Sequence, residues 1–372
     1  MTRTGLLNSR YLRLQEGGLL LVILILGLSL TIFGGKVDRP KFELNSAGER
    51  QRVFTTGADG EKVPVFESCN KFLNAQTMAQ LAKDTSFIAI MAVGATFIII
   101  SGNIDLSVGA IYALASVLSA LVFHRFGPDG VSSAQSAVGI FLGVVTCIGV
   151  GTLAGIANGA MMIGLKVHPF IITLGTMAIF RGIAFVITQG QSIGNFPAGF
   201  RDLIRYETGE GLSLVPLLIM IIVAIFGGVY LTRTAAGRRI YAVGGNEVAS
   251  RFSGIRVEWV KLTVFIFSGL TAGIAALLSI GYYGAATSGD GQGYELNVIA
   301  AAVVGGASLS GGKGSALGAV LGALVIQMIS TGIVILGINQ NYSQIIIGAV
   351  VILAVVLDQV NNWLSRRRLL KG

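Results

Sequence analysis

Five polar residues interrupt the long apolar stretches of the chain, and they are its candidates for chemistry at bilayer depth. They are Asn103, Asp105, Asn158, Arg181 and Asn297. A charged or amide side chain in a membrane has to be paired, so it either lines the path of a solute or joins two helices by a hydrogen bond. We treat all five as candidates for a translocation path, with an interhelical hydrogen bond as the alternative for both Asn158 and Asn297.

Asn103 and Asp105 lie in a polar break, SGNIDLSVG, at 101–109. If the preceding apolar span begins only after Asp84, it is about 24 Å long and too short to cross. The break would then sit at bilayer depth, as in the broken helices of transporters. If the span begins near Met78, the break is an ordinary turn, and Asn103 or Asp105 caps the next helix, which is expected to start near 104.

Arg181 is the clearest cation inside an apolar span. It lies about 12 Å from the predicted outer end of that span. Its guanidinium can reach the interface or bond to backbone carbonyls, and both would make it a structural anchor. The alternative is a role in the path of the solute.

The sequence contains few residues that could catalyse a reaction or bind a metal. It holds two histidines and two cysteines, Cys69 and Cys147, with no CxxC and no HExxH. The run GGASLSGGKGS at 305–315 resembles a phosphate loop only loosely, because Ala307 and Gly314 occupy positions where that motif needs Gly and Ser or Thr. The sequence therefore predicts no metal, no cofactor and no catalytic residue.

A polar stretch at 241–255, YAVGGNEVASRFSGI, separates two apolar runs and is crowded by basic residues. Such a charge pattern marks a cytoplasmic loop, here 232–258. Two glycines are expected to break the chain, followed by an Asn cap and a helix of two turns. A short capped helix suits contact with a partner protein, while a solvated connector is the alternative. The candidate contact residues are Gly244, Gly245, Asn246, Glu247, Arg251, Ser253 and Gly254.

Composition and patterning predict an all-α polytopic membrane protein with about ten transmembrane helices and both termini cytoplasmic. Of the 372 residues, 53% are hydrophobic and only 12% charged, about half the charge of a soluble domain. The net charge of +9 lies mostly between spans, so topology accounts for it without nucleic acid. We divide the chain into a tail and first span (1–35), an external loop with a small β-hairpin (36–71) and a core (72–372).

Four blocks of sequence carry a family resemblance. They are SGNIDLSVGAIYAL at 101–114, HPFIITLGTMAIFRG at 168–182, YAVGGNEVASRFSGI at 241–255 and GYELNVIAAAVVGGASLSGGKGSALGAVLGAL at 293–324. In this order they resemble the permease subunits of bacterial ABC importers of the ribose, xylose and galactoside type. Two departures concern candidate residues: Asn103 stands where that family usually has Gly, and Asn297 where it usually has Asp.

The resemblance implies a multi-pass protein of the bacterial inner membrane that is not itself an enzyme. Such permeases pair as homo- or heterodimers in the lipid bilayer and dock a separate ABC ATPase through the 232–258 loop, with 244–255 as the coupling segment. A periplasmic sugar-binding protein would deliver a monosaccharide. Two alternatives stay open: an ion-coupled secondary transporter that uses Asp105 or Glu295, and an ABC permease for a nucleoside or a branched-chain amino acid.

Overall fold

A computed structural model describes residues 3–44, 50–56, 61–127, 133–208 and 211–369. The described residues form thirteen α-helices and ten short β-strands, and a 3-10 turn at Gln340–Tyr342 precedes the last helix. The helices are α1 (Arg3–Phe33), α2 (Ala75–Ile100), α3 (Val108–Arg125), α4 (Ser133–Leu165), α5 (Pro169–Thr188), α6 (Ala198–Ile204), α7 (Leu214–Arg233), α8 (Ala235–Gly245), α9 (Glu247–Phe252), α10 (Val257–Tyr283), α11 (Tyr294–Val304), α12 (Ala316–Ile335) and α13 (Ser343–Leu369). The strands are β1 (Lys36–Pro40), β2 (Phe42–Leu44), β3 (Arg50–Arg52), β4 (Phe54–Thr56), β5 (Lys62–Pro64), β6 (Phe66–Asn70), β7 (Ile193–Gly194), β8 (Glu207–Thr208), β9 (Leu212–Ser213) and β10 (Ala285–Ala286).

The prediction of a polytopic helical membrane protein is confirmed. Among the described residues, seven helices are long and apolar enough to cross a bilayer: α2, α3, α4, α5, α7, α10 and α12. Three shorter apolar segments lie at Gly17–Phe33, Tyr294–Val304 and Gln340–Val356. These three are shorter than the roughly 20 residues of a full crossing, so the count of about ten spans stays a prediction.

Helix α2 lies at the centre of the protein. From Thr85 to Ile100 every residue is buried, as expected for a helix that is apolar on all sides. Around it, α4 and α10 approach closely because glycines face each other, so that a Cβ on Gly269 would overlap the backbone of Gly151 and Gly155. Similarly, Gly318 on α12 lies directly against the backbone of Gly305. Small residues thus fix the helix spacing of the core.

The boundaries of α2 and α3 decide between the two interpretations of the polar break. Helix α2 begins at Ala75, where the Asn74 side chain accepts a hydrogen bond from Thr77 N at 2.9 Å. Its 26 residues span about 39 Å, so the short-span interpretation is wrong. Helix α3 begins at Val108, four residues later than predicted, because 103–107 form an irregular segment.

The loop between α1 and α2 folds into three two-stranded antiparallel arms, which we call the three-arm knot (36–70). Strand β1 pairs with β6, β2 with β3, and β4 with β5. The arms meet in a closed ring of backbone hydrogen bonds: Lys41 N to Val65 O (2.7 Å), Val65 N to Val53 O (2.9 Å) and Val53 N to Lys41 O (2.9 Å). The single predicted hairpin corresponds to β4 and β5, and its turn (57–60) lies outside the described residues.

A 12-residue period in the sequence underlies the three-arm knot. Lys41, Val53 and Val65 occupy the ring, and each is followed by a phenylalanine. In the strand register, each phenylalanine lies opposite a residue on the paired strand of the same arm, and that residue directly precedes the next ring position. Exposed aromatic side chains therefore repeat around the knot, at Phe42, Phe54 and Phe66.

Candidate functional site

Asp105 is the acceptor at the centre of a buried polar network. Its Oδ1 accepts from Ser107 N at 2.8 Å and from Ser107 Oγ at 2.6 Å, and its Oδ2 accepts from Ser268 Oγ at 2.9 Å. Asn158 Nδ2 donates to Ser107 Oγ at 2.8 Å. All four residues are buried, and together they join the segment between α2 and α3 to α4 and α10. The structure thus brings Asp105 and Asn158 into one interhelical network.

Neither predicted cap residue caps α3. The residue before α3 is Ser107, whose side chain makes no capping bond, while Asp105 binds the Ser107 N–H one position ahead of the helix. Asn103 is buried and donates through Nδ2 to Ser101 O at 3.1 Å and Ser101 Oγ at 2.8 Å. Both side chains therefore stabilise the irregular backbone of the break instead of the helix end.

Arg181 bonds to backbone carbonyls of the loop between α10 and α11. Its Nη1 donates to Ser288 O at 2.8 Å and to Asp290 O at 2.5 Å. The Asp290 carboxylate is itself engaged, because it accepts from Thr287 N and Thr287 Oγ1. Arg181 therefore fastens this loop onto α5.

Asn297 is half-buried on α11 and makes no side-chain hydrogen bond with any residue that the structure describes.

The segment between α7 and α10 contains two helices where one was predicted. Thr234 caps α8 by accepting from Gly237 N at 2.9 Å, and α8 continues through Gly244 and Gly245. Both glycines are helical, and the chain turns one residue after the predicted break, at Asn246, which has an extended backbone and caps α9 at Ala249 N as predicted.

The reason for glycine at 244 is close packing. A Cβ there would overlap Ile100 O, at the end of α2, and Gly312 N, while a Cβ on Gly245 would meet nothing within 4 Å. Gly312 N donates to Ile100 O at 2.8 Å, and Tyr241 Oη donates to Gly314 O at 2.7 Å. Burial raises the pKa of Tyr241 to about 12, so its hydroxyl keeps its proton at physiological pH. Helix α8 is thereby fixed to α2 next to the polar break.

The charged residues of α9 are occupied by partners on the same chain. Glu247 Oε2 lies 2.8 Å from Lys261 Nζ, and Arg251 Nη1 lies 2.6 Å from Glu258 Oε1. A longer contact of 3.7 Å joins Arg251 to Glu247. These ion pairs are exposed and contribute little stability, but they fix how α9 sits against the start of α10.

The most exposed part of α9 is apolar. Val248 is 65% exposed and Phe252 is 89% exposed, and their spacing of four residues puts both on one face of the helix. Sequence reasoning missed these two residues because it followed the charges. The signal was present as an apolar i, i+4 pair in an otherwise polar helix. The pair is therefore a candidate contact surface for a partner protein.

The comparison with known proteins matches this architecture to one family. The profile described as "Branched-chain amino acid transport system / permease component" matches residues 77–355. The chain belongs to this permease family. It is therefore an inner-membrane permease, in agreement with its apolar helices of membrane-spanning length.

Curated relatives of the permease cover most of its length. The D-allose transport system permease protein AlsC of Escherichia coli (strain K12) is 37% identical over 78% of this chain and 85% of its own. The ribose import permease protein RbsC of Bacillus subtilis (strain 168) is 37% identical over 77% of this chain and 86% of its own. The fructose import permease protein FrcC of Rhizobium meliloti is 31% identical over 80% of each chain. No solved structure gives a significant match.

Proposed function

We propose that this permease is the transmembrane subunit of an ATP-driven importer of a monosaccharide. A separate ABC ATPase hydrolyses ATP, a periplasmic binding protein delivers the sugar, and two permease copies form the pathway. The observation that carries the proposal is the set of relatives named for allose, ribose and fructose. These names favour a sugar over a nucleoside or a branched-chain amino acid, although the family description mentions the latter.

The contacts of the structure support ten crossings with both termini in the cytoplasm. Ten crossings would place three segments on one side of the membrane: the break at 101–107, the segment at 233–257 and the turn at 305–315. The turn at 305–315 bonds to the last residue of α2, next to the break, through Gly312 N and Ile100 O, and it accepts a hydrogen bond from Tyr241 Oη at Gly314 O. Gly244 of the 233–257 segment also lies directly against Ile100 O. This side also carries the basic cluster of α7 and α8, as the positive-inside rule requires of a cytoplasmic face.

In this importer, α9 is the part that docks the ATPase. The exposed side chains of Val248 and Phe252 would enter a cleft of the partner, while Glu247 and Arg251 hold α9 in place on α10. Movement of the ATPase would then reach α2 through α8, since α8 lies directly against Ile100 O.

The docking proposal predicts that the double substitution Val248→Ser and Phe252→Ser removes the ATPase from the purified permease. Each buried apolar side chain stabilises a complex by about 1–3 kcal/mol, so we expect at least tenfold less ATPase after affinity purification from host membranes. The substitution Glu247→Gln should reduce recovery by less than threefold, because it removes only an exposed ion pair.

A control tests whether ATPase recovery depends on the position of the lost apolar side chain or only on the loss of an exposed apolar side chain. Phe54→Ser removes an equally large exposed side chain from the three-arm knot and should leave ATPase recovery unchanged. Recovery of the ATPase with the α9 double variant at wild-type levels would contradict the docking surface. A permease that purifies without any ATPase and transports when reconstituted alone would contradict the importer itself.

We further propose that the three-arm knot contacts the binding protein through Phe42, Phe54 and Phe66. The expected result of replacing all three by Ser is at least tenfold weaker association with the binding protein, measured by surface plasmon resonance on nanodisc-embedded permease. Because the phenylalanines are exposed, the melting temperature should stay unchanged. Deletion of residues 40–66 should weaken the association with the binding protein to a similar extent. Unchanged affinity in both variants would contradict this contact.

A further inference from the structure

A cleft of about 520 Å³ lies where the three-arm knot meets the ends of α2 and α12. One wall comes from the first turns of α2, with Thr77 and Gln80, and the opposite wall from the last turn of α12, with Val334 and Ile335. Arg39 and Lys71 line the end nearest the knot. The cleft is thus basic and polar on one side and apolar on the other.

Both cations of the cleft lack a carboxylate partner. Arg39 and Lys71 are half-buried, and no acidic side chain lies within ion-pair distance of either one among the described residues. Glu67 faces Arg39 across the β1–β6 ladder without pairing with it. A partly desolvated cation gains stability from an anion, so two such cations at one cleft predict a negatively charged ligand.

Contacts within the protein position the Arg39 guanidinium and the backbone of Lys71 before a ligand arrives. Arg39 Nη1 donates to Asn74 Oδ1 at 2.9 Å and also bonds to Gln76 Oε1. Lys71 N donates to Gly35 O at 3.0 Å, which fixes the start of its side chain. The N-terminal end of α2, a helix of 26 residues, adds its positive dipole at the same place.

The apolar wall continues onto the membrane-facing surface of the permease. Val334 is 57% exposed, and Ile335 packs near Gly34 at the end of α1. Because α2 begins here and α12 ends here, the cleft lies at the depth where lipid headgroups meet acyl chains. A ligand that fills it needs an anionic group at one end and an apolar chain at the other.

We propose that this cleft binds an anionic phospholipid, with its phosphodiester between Arg39 and Lys71 and an acyl chain along Val334 and Ile335. Thr77 Oγ1 already donates to Lys71 O and Gln80 Nε2 to Asp84 Oδ2, so these two side chains offer the lipid only their oxygens, as acceptors for headgroup hydroxyls. A zwitterionic headgroup fits less well, because its ammonium would face two cations. The bound lipid would link the three-arm knot to the span bundle.

The test uses the full-length permease, purified in detergent and titrated with phosphatidylglycerol or phosphatidylethanolamine under native mass spectrometry. We expect phosphatidylglycerol to be retained preferentially and Lys71→Gln to lower its occupancy about fivefold, in line with the electrostatic contribution of one cation near a lipid surface. Arg39→Gln should have a similar effect and Arg39→Lys a smaller one. Lys62→Gln, which removes an exposed cation of the knot outside the cleft, is the matched control.

Three outcomes would overturn the proposal. They are equal retention of the two lipids, equal occupancy in Lys71→Gln and Lys62→Gln, and displacement of phosphatidylglycerol by millimolar inorganic phosphate, which would indicate a site for a free anion. A melting curve for each variant separates loss of binding from loss of fold. The ATPase co-purifies through α9, so its recovery reports on the proposed importer independently of the lipid.

Discussion

Gly244→Ala should destabilise the permease and reduce ATP-driven sugar uptake more than tenfold, whereas Gly245→Ala should lower neither stability nor uptake. The reason is the packing of α8 against α2. A Cβ at 244 overlaps Ile100 O and Gly312 N, two backbone atoms that are hydrogen-bonded to each other and cannot rotate away. Overpacking of this kind costs about 1–3 kcal/mol, and more where the neighbour is backbone.

Gly245→Ala is the matched control because a Cβ there meets nothing within 4 Å. Both glycines belong to α8, so the helix propensity of Ala favours each substitution by the same small amount, about 1 kcal/mol or less. A difference between the two variants therefore measures the contact with α2. Equal melting temperatures and equal uptake for the two variants would show that the contact does not limit either property.

The same substitution also separates docking from transmission. Helix α9, with Val248 and Phe252, lies beyond Asn246 and keeps its own cap at Ala249 N. We therefore expect Gly244→Ala to retain the ATPase on purification while losing uptake. Loss of the ATPase together with uptake would place the docking contact on α8 itself.

Hydropathy predicted the membrane class and the positions of the apolar segments because burial in lipid depends on local composition. It did not predict where α8 ends, since a Gly-Gly pair has the same local signature whether it bends the chain or lets another backbone approach. The atoms that decide this for Gly244 belong to Ile100 and Gly312, which are remote in sequence. The position of the turn at Asn246 is therefore determined by tertiary contacts and not by local propensity.

In the candidate site, too, local sequence predicted some features, while others depend on contacts between residues that are remote in sequence. The isolated polar residues in apolar runs were found from the sequence, yet their partners were not, because Ser107, Ser268 and the carbonyl of Ser288 are ordinary residues in a sequence. The three-arm knot was missed for a different reason. Its 12-residue period is present in the sequence, but a period alone does not show which strands pair, and only one hairpin was predicted where the structure has three arms.

Asp105→Ala should cost the permease about 3 kcal/mol or more, and Asp105→Asn about 1 kcal/mol. The carboxylate accepts from Ser107 N, Ser107 Oγ and Ser268 Oγ, all buried. Alanine leaves these donors without a partner, and each buried unsatisfied group costs about 1–3 kcal/mol. Asparagine keeps an oxygen for Ser107, and the Ser268 hydroxyl can rotate to accept from the new amide.

The two substitutions at Asp105 also discriminate between the importer and the ion-coupled alternative. If Asp105 only braces the helices, Asp105→Asn should retain ATP-driven uptake within about threefold, and loss of uptake in Asp105→Ala should track its lower melting temperature. If Asp105 carried a proton across the membrane, Asp105→Asn would abolish uptake in a fully folded protein, and an uncoupler would abolish uptake by the wild type. Ser268→Ala, which removes one donor and its partner bond, should fall between wild type and Asp105→Ala in stability. If the melting temperatures do not decrease from wild type to Ser268→Ala to Asp105→Ala, the network does not stabilise the packing of the segment before α3 against α4 and α10.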